Sequence, residues 1–359
     1  MTKEAPAAPR PRNATLRDVA REAGVDVSTV SRVLKNDKDV RTSAETRQRI
    51  IDAAERLQYR ANPLARALKM ARSRTLLIVV PQIENPVFAS AILGAEAEAR
   101  AQGYVLLVAY DQNGSAASVL ERVSQSSLIE GVIIASFDED DSLRQSIAAI
   151  NRPYVVINRV LPGDVHCVAV DTCAAAAIGV SHLIALGHRR IGHLAGRLGR
   201  FNGNARRQGW QEAMSAAGLE PDPELVVEAG YDPARVPGAV DALLARGVTA
   251  IHAATLLTGA AAIAHLHKRG LDVPDDMSVV TMHDDLLARV VHPEITTVGL
   301  PTSEMGRDAV RALLAQLEPA PAGGVTEASR VLLLPPGDLV VRASAAAPKA
   351  GPEAGVPAA

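Results

Sequence analysis

The chain has 359 residues, 48% of them hydrophobic, with 38 Lys and Arg against 40 Asp and Glu and a formal net charge of -2. That length is ample for more than one core. Its two cysteines, Cys167 and Cys173, exclude a disulfide framework and a four-cysteine metal site, and no run of about 18 uncharged apolar residues offers a membrane span. The near-neutral total hides an asymmetry. Residues 1–74 carry 17 basic and 9 acidic side chains, a net of +8, whereas the remainder carries 21 and 31, a net of -10. A basic head on an acidic body points to a polyanion partner for the head alone.

The opening "MTKEAPAAPRPR", residues 1–12, is low in complexity and is expected to be a disordered basic tail. It lacks the apolar core of a secretory signal, so the sequence reads as a cytoplasmic protein. Residues 13–60 read as three short helices. Thr15 and Asp18 have capping-box spacing, Leu16, Val19, Ala20 and Ala23 follow a helical period, and Gly24 ends the first helix. Asp26 caps a second helix reaching to about Lys35, with Val30, Val33 and Leu34 inward and Val27, Ser28, Ser31, Arg32 and Lys35 outward. Ser43 caps the third, which buries Ile50, Ala54 and Leu57. Residues 61–73 form a linker containing "NPLARALK", with Leu64 and Leu68 one helical turn apart.

From Thr75 the pattern changes. "TLLIVVP", "YVLLVAY", "GVIIAS", "YVVINR", "RRIGHLAG", "ELVVEAG", "VTAIHAA" and "DMSVVTM" are apolar, β-branched runs separated by helical stretches. Buried strands alternating with helices mean parallel α/β sheet. About nine or ten strands over residues 74–342 fit two doubly wound lobes around a ligand cleft better than one sheet. "VLLLPPGDLVVR" reads as a final strand pair, and residues 343–359 as a second disordered tail.

The first two helices have the layout of a helix–turn–helix, whose second helix enters the major groove. Arg32 has the fork that matches guanine O6 and N7, Val27 suits a thymine methyl, and Thr29 and Ser31 suit phosphates. The same outward face also fits a small helical bundle whose polar side is merely solvated. Elsewhere no nucleophile elbow, Walker loop or dinucleotide fingerprint occurs, and "GRLGRFNG" has glycines at the wrong intervals. His265 and His267 of "HLHK" point apart on a helix, and His182, His188 and His193 lack ligand spacing. Neither an enzyme nor a cofactor or metal site is expected.

The segment "ATLRDVAREAGVDVSTVSRVLKN…ETRQRIIDAAERLQYRANPLARALK" closely resembles, over about 55 positions, the head of the lactose-repressor (LacI) family of bacterial transcription regulators. "GHRRIGHLAG", "ARRQGW", "KRGLDVPDDMSVV", "HPEITTVGLP", "MGRDAV" and "DLVVRAS" follow in the order of that family's effector domain, a relative of periplasmic sugar-binding proteins. The resemblance runs from residue 14 to about 345. It implies a DNA-contacting set of Thr15, Val27, Ser28, Thr29, Ser31, Arg32 and Lys35 in the head. Asn62, Ala65 and Leu68 belong to a hinge helix that folds on operator DNA, pairs with its dimer mate and inserts Leu68 into the minor groove as an apolar wedge. Two departures are Ala61, where proline is usual, with Pro63 following Asn62, and Lys35, where asparagine is common.

In the body the resemblance implies that Arg206 of "ARRQG" grips a ligand hydroxyl or carboxylate, with a surface salt bridge as the alternative, and that Asp171 of "AVDT" is a retained acid near the lobe crossover, with a structural role as the alternative. Three positions depart: Asn158 in "VVINR" for aspartate, Thr255 and Leu256 in "HAATLLTG" for Asn-Asp, and His283 in "VVTMHDD", read in place of the first aspartate of "GFDD". These swaps leave Arg206 and Arg159 less neutralised, so an acidic effector, a carboxylate or phosphorylated metabolite, is expected over a plain sugar. His283 is open to two readings, a half-charged effector contact or a neutral histidine satisfied by Asp284. The sequence therefore reads as a transcription regulator, most often a repressor in this family, binding a palindromic double-stranded operator as a homodimer. A solute-binding receptor with a vestigial head is the alternative, and the basic head and missing signal argue against it.

Overall fold

Capping and spacing shape the head. In the computed structural model, which describes residues 14–34, 42–59, 73–110, 116–136, 140–163, 165–318 and 331–349, the chain divides into two units, residues 1–73 and 74–359. The first contains α1 (Leu16–Ala23), α2 (Val27–Leu34) and α3 (Ala44–Arg56). Thr15 and Asp18 form the expected capping box, and Gly24 closes α1 in the left-handed conformation at φ 64°. Asp26 Oδ1 accepts from the Ser28 backbone N–H at 2.7 Å, and Ser43 accepts from Thr46 N at 3.1 Å. Val19, Ala20, Ala23, Val30, Val33, Ile50, Ala53 and Ala54 make the core. Leu34 corrects the inward stripe: it is 37% exposed, and the core face of α2 is carried by Val30 and Val33. Leu57 packs against the core while only half-buried.

The second unit holds two six-stranded sheets. Lobe one uses β1 (Thr75–Val80), β2 (Val105–Tyr110), β3 (Gly131–Ile134), β4 (Tyr154–Ile157), β5 (Cys167–Val170) and β11 (Val331–Leu334), in the order β11-β5-β4-β3-β1-β2. Lobe two uses β6 (Ile191–Ala195), β7 (Val226–Glu228), β8 (Ala250–Ala253), β9 (Ser278–Met282), β10 (Thr296–Val298) and β12 (Leu339–Val340), in the order β12-β10-β9-β8-β6-β7. Every pairing is parallel except β10 with β12. The unbroken apolar run of β1 suits its place inside the sheet, between β3 and the edge strand β2. Leu76, Ile78 and Val80 enter the core on one face of the sheet, and Leu77 and Val79 the core on the other.

Helices α4 (Pro86–Ala101), α5 (Ala117–Ser124), α6 (Asp140–Ala148) and α12 (Thr302–Leu317) belong to lobe one; α7 (Thr172–Ala185), α8 (Phe201–Ala216), α9 (Val236–Ala245), α10 (Leu256–Lys268) and α11 (Leu286–Val290) belong to lobe two. Helices α4 and α12 touch backbone to backbone. A Cβ at Gly94 would lie 1.9 Å from the Ser303 carbonyl oxygen, and one at Gly306 2.0 Å from that of Ala91. No helix among the described residues is long and apolar enough to cross a membrane.

Two expectations are corrected. "VLLLPPGDLVVR" is not a strand pair: β11 joins lobe one and β12 joins lobe two, because Pro335-Pro336-Gly337 carries the chain across. Three such crossings lie side by side, with Asp171 N donating to Leu334 O at 2.8 Å, Gly337 N to Gly299 O at 2.8 Å and Gly299 N to Asp338 O at 2.9 Å. Nor is the chain loose from residue 343. Ser344 is buried, its hydroxyl accepts from Thr296 N at 2.9 Å, Ala346 O accepts from His188 Nε2 at 2.9 Å, and Lys349 pairs with Asp276 at 2.6 Å.

Candidate functional site

On the head, α2 exposes Val27, Ser28 and Arg32 on the side away from Val30 and Val33, with Thr29 and Ser31 half-buried between. Arg32 is exposed, and it makes no ion pair among the described residues. Thr15 is exposed, but its hydroxyl is engaged in the capping box, donating to Asp18 Oδ2 at 2.7 Å. Lys35, Asn62, Ala65 and Leu68 lie outside the described residues.

In the body each sheet reverses its strand order at one point, β1/β3 in lobe one and β6/β8 in lobe two. Ligand crevices in doubly wound sheets open at such points, beyond the carboxyl ends of the strands. One pocket collects residues from both. After β1 and β3 come Asn85, Val87, Phe88 and Ser136; after β6 and β8 come Arg197, Arg200, Phe201, Asn202, Arg206 and Thr255. Asn158 and Arg159 after β4 and Tyr231 after β7 complete it, around about 560 Å³ of space open to solvent. The lobes touch across it, where Asn202 Nδ2 donates to Asn158 O at 2.6 Å.

Four of the expected ligand residues thus line the pocket: Asn158, Arg159, Arg206 and Thr255. Arg206 is 4% exposed, with Nε and Nη1 buried and meeting no acceptor. Burial pulls its pKa below the usual guanidinium value, and the Tyr231 hydroxyl, to which it is hydrogen-bonded, opposes that. Arg159, 5% exposed, donates to Ser136 O at 3.3 Å. Thr255 serves also as the N-cap of α10, accepting from Thr258 N at 3.2 Å.

The other three do not line it. Leu256 is buried in the core of lobe two, as the first residue of α10 pointing into the lobe. Asp171 N-caps α7, accepting from Ala174 N at 2.9 Å, in keeping with the structural alternative. His283 is buried behind the pocket, and burial lowers its pKa against the opposing pull of Asp285 and Asp284. It is not satisfied by Asp284: its Nε2 lies 3.3 Å from the Thr302 hydroxyl, while Asp284 is taken by Arg342 at 2.7 Å and Thr297 at 2.8 Å. Both acids of the "HDD" run are present as Asp284 and Asp285, so His283 has not replaced one. Sequence reasoning missed Arg197, Arg200, Phe201, Asn202 and Tyr231. The available signal was position: "GRLGRFN" immediately follows a parallel strand and opens a helix.

Beneath Arg206 lies a further polar unit. His193 on β6 and His252 on β8 are register partners, fully buried, with Nδ1 atoms 3.1 Å apart and rings stacked 5.1 Å apart. His193 also stacks on Trp210, the single tryptophan, at 6.5 Å. Burial pushes His193 down to about 4 and His252 well below the usual histidine value. Among the described residues no three metal-ligating side chains come together.

Comparison with known proteins bears on both units. A family model for bacterial regulatory proteins of the lacI family matches residues 15–62, and one for a periplasmic binding protein-like domain matches residues 180–345. The chain is 32% identical over 318 residues to the HTH-type transcriptional regulator GalR of Escherichia coli (strain K12), covering 87% of this chain and 92% of that protein. It is 33% identical over 334 residues to the HTH-type transcriptional regulator CelR of Thermobifida fusca, covering 90% and 96%. Among solved structures, a CelR–cellobiose complex superposes with a TM-score of 0.67 at 31% identity, over 93% of this chain and all of that one.

Proposed function

We propose that this chain, which belongs to the lacI family of bacterial regulatory proteins, represses transcription as a cytoplasmic homodimer on a palindromic operator, under the control of a small acidic effector held between its lobes. It is a DNA-binding transcription regulator and not an enzyme. The observation that carries the proposal is the exposed Val27, Ser28 and Arg32 face of a helix whose start is held by Asp26 and whose other side packs into a small core. A two-fold pair of such faces reads two half-sites in register.

Arg32→Ala is expected to cost about 1–3 kcal/mol on operator DNA and to relax preference at one base position. Titration of fluorescent operator variants checks it. Equal weakening on random sequence would mean that Arg32 contacts only phosphates.

The homodimer draws support from β2, an edge strand that exposes Val105, Leu107, Val108 and Tyr110. An apolar edge of this kind is a liability unless covered, and a second copy covers it. Leu107→Lys is expected to shift the protein to monomer in sedimentation at micromolar concentration; an unchanged dimer removes β2 from the interface. Control by an effector is supported by the pocket at two facing switch points, and a relative's structure is a complex with the small molecule cellobiose. A ligand preferring one lobe arrangement shifts the population of the DNA-competent state.

A further inference from the structure

One histidine joins the two lobes at a crossing. His283 follows the end of β9 with its backbone in the left-handed region at φ 76°, which histidine adopts more readily than most side chains. Its N–H donates to Val298 O at 2.8 Å, carrying the β9–β10 pairing one residue further. The ring meets the start of α12, where Nε2 lies 3.3 Å from the Thr302 hydroxyl. Between Val298 and Thr302 the chain passes from lobe two to lobe one through Gly299, Leu300 and Pro301, so this contact spans the passage. On the far side α12 is seated on α4 by the backbone contacts at Gly94 and Gly306, and the start of α4 supplies Val87 and Phe88 to the cleft.

We infer that His283 is a proton-released clasp of the hinge: neutral, it ties β9 of lobe two to α12 of lobe one, and protonated it lets the lobes shift.

The geometry suits the neutral ring in three ways. The residue is 3% exposed, so a charge on it is desolvated. Nδ1 is buried and meets no partner among the described residues, so a proton placed there is an unanswered donor. Helix α12 begins at Thr302 with Pro301 in the capping position and no side-chain cap, and the positive end of its dipole opposes a cation beside it. The charged groups around the ring divide. Asp285 and Asp284, next in the chain, favour protonation and Arg206 on α8 opposes it, while burial prevails and holds the pKa below the usual histidine value. Asp284 is itself taken by Arg342, after β12, and by Thr297 on β10, and Asp285 caps α11 through Leu286 N. From α12 the Thr302 hydroxyl meets the ring.

A ring whose pKa is depressed in this arrangement keeps its contact above the unperturbed value of about 6.5 and loses it as pH falls. Protonation therefore acts on the same lobe equilibrium that a cleft ligand shifts, and it needs no occupant in the cleft.

Hydrogen exchange of the full-length protein tests the clasp, read by mass spectrometry on peptides spanning residues 283–302 and corrected for the intrinsic pH dependence. These peptides carry the His283, Gly299 and Thr302 amides, which donate to Val298, Asp338 and Leu300. Their opening is expected to grow by up to about 10-fold from pH 7.5 to 5.5, the factor by which a released ring of ordinary pKa is charged at the lower pH. His283→Gln keeps a donor for Thr302 and takes up no proton, so its opening should stay flat over that range. Thr302→Val keeps the shape and removes the partner. It should open the crossing by about 2- to 10-fold at pH 7.5 and leave peptides from β1 unchanged. Equal pH slopes in wild type and His283→Gln overturn the inference, as does a Thr302→Val crossing that stays as closed as wild type at pH 7.5.

Discussion

Arg206→Met is expected to hold or raise the melting temperature of the body while removing most of its stabilisation by effector. Arg206 is a fully buried cation, hydrogen-bonded to Tyr231 but with Nε and Nη1 unanswered. Replacing buried charge by an apolar chain of similar volume is commonly neutral or stabilising by about 1–4 kcal/mol, and each kcal/mol moves the midpoint of a domain this size by about 2–4 °C. The ligand side runs the other way. Losing a hydrogen-bonded charge pair removes about 2–3 kcal/mol of binding, on the order of 30- to 100-fold in affinity. Thermal unfolding with and without ligand measures both at once. A midpoint several degrees lower without ligand would mean that Arg206 is a structural prop, held by Tyr231, and not a reserved ligand contact.

The other large effect is a pH window set by the His193–His252 pair. Both rings are fully buried, with their Nδ1 atoms 3.1 Å apart and His193 Nδ1 also 3.2 Å from the His252 carbonyl oxygen. The folded pKa of His193 lies at about 4 against 6.5 for an unperturbed ring, with burial as the main cause, and His252 shifts in the same direction. A histidine whose folded pKa is depressed contributes stability that is fully present above the unfolded value and is lost as pH falls through the window. Lobe two should therefore lose on the order of 3 kcal/mol between roughly pH 6.5 and 4. The two rings take up protons as a coupled pair, so the steps of the profile belong to the pair and not to either ring. Denaturant unfolding from pH 7.5 to 4 checks this, and replacing both histidines by leucine should flatten the slope. Some slope will persist, because burial also lowers His182, His188 and His283. Parallel slopes in wild type and double variant would dismiss the pair as the source.

Much of this was legible in the sequence where local chemistry decides the outcome. Thr15, Asp18, Gly24 and Ser43 act as read because caps and left-handed glycines need only their near neighbours. The two-lobed α/β body followed from runs such as "TLLIVV" that no helix period explains. β5 and β10 escaped because "CVAV" and "TTV" are too short to stand out from coil; their partners in the sheet hold them extended. Leu34 was misjudged because the inward stripe is narrower than helical spacing allows: Val30 and Val33 are buried and Leu34 is exposed. The cleft divided similarly. Arg206 and Thr255 were found by type and context, whereas Arg197, Arg200 and Phe201 belong to the cleft through the strand-order reversal at β6/β8. That reversal is a relation between distant segments. Leu256 and Asp171 show the converse: residues in the expected place whose side chains the helix start claims for itself.

The placement of β11 and β12 bears on how the protein is made. The outermost strand of each sheet, beside β5 and beside β10, comes from the same ten residues, 331–340. During synthesis, which proceeds at about 5–20 residues per second, lobe one has its other five strands once residue 170 is available and lobe two once residue 298 is. Neither sheet can close its flank until some 40 to 160 residues later. A polypeptide interrupted before residue 331 carries the whole reading head and every described residue of the pocket, yet both lobes have a raw edge and the third crossing is absent. The stretch from 331 to 340 is thus the fastener of the body: until it is made, each lobe lacks the strand that flanks β5 or β10.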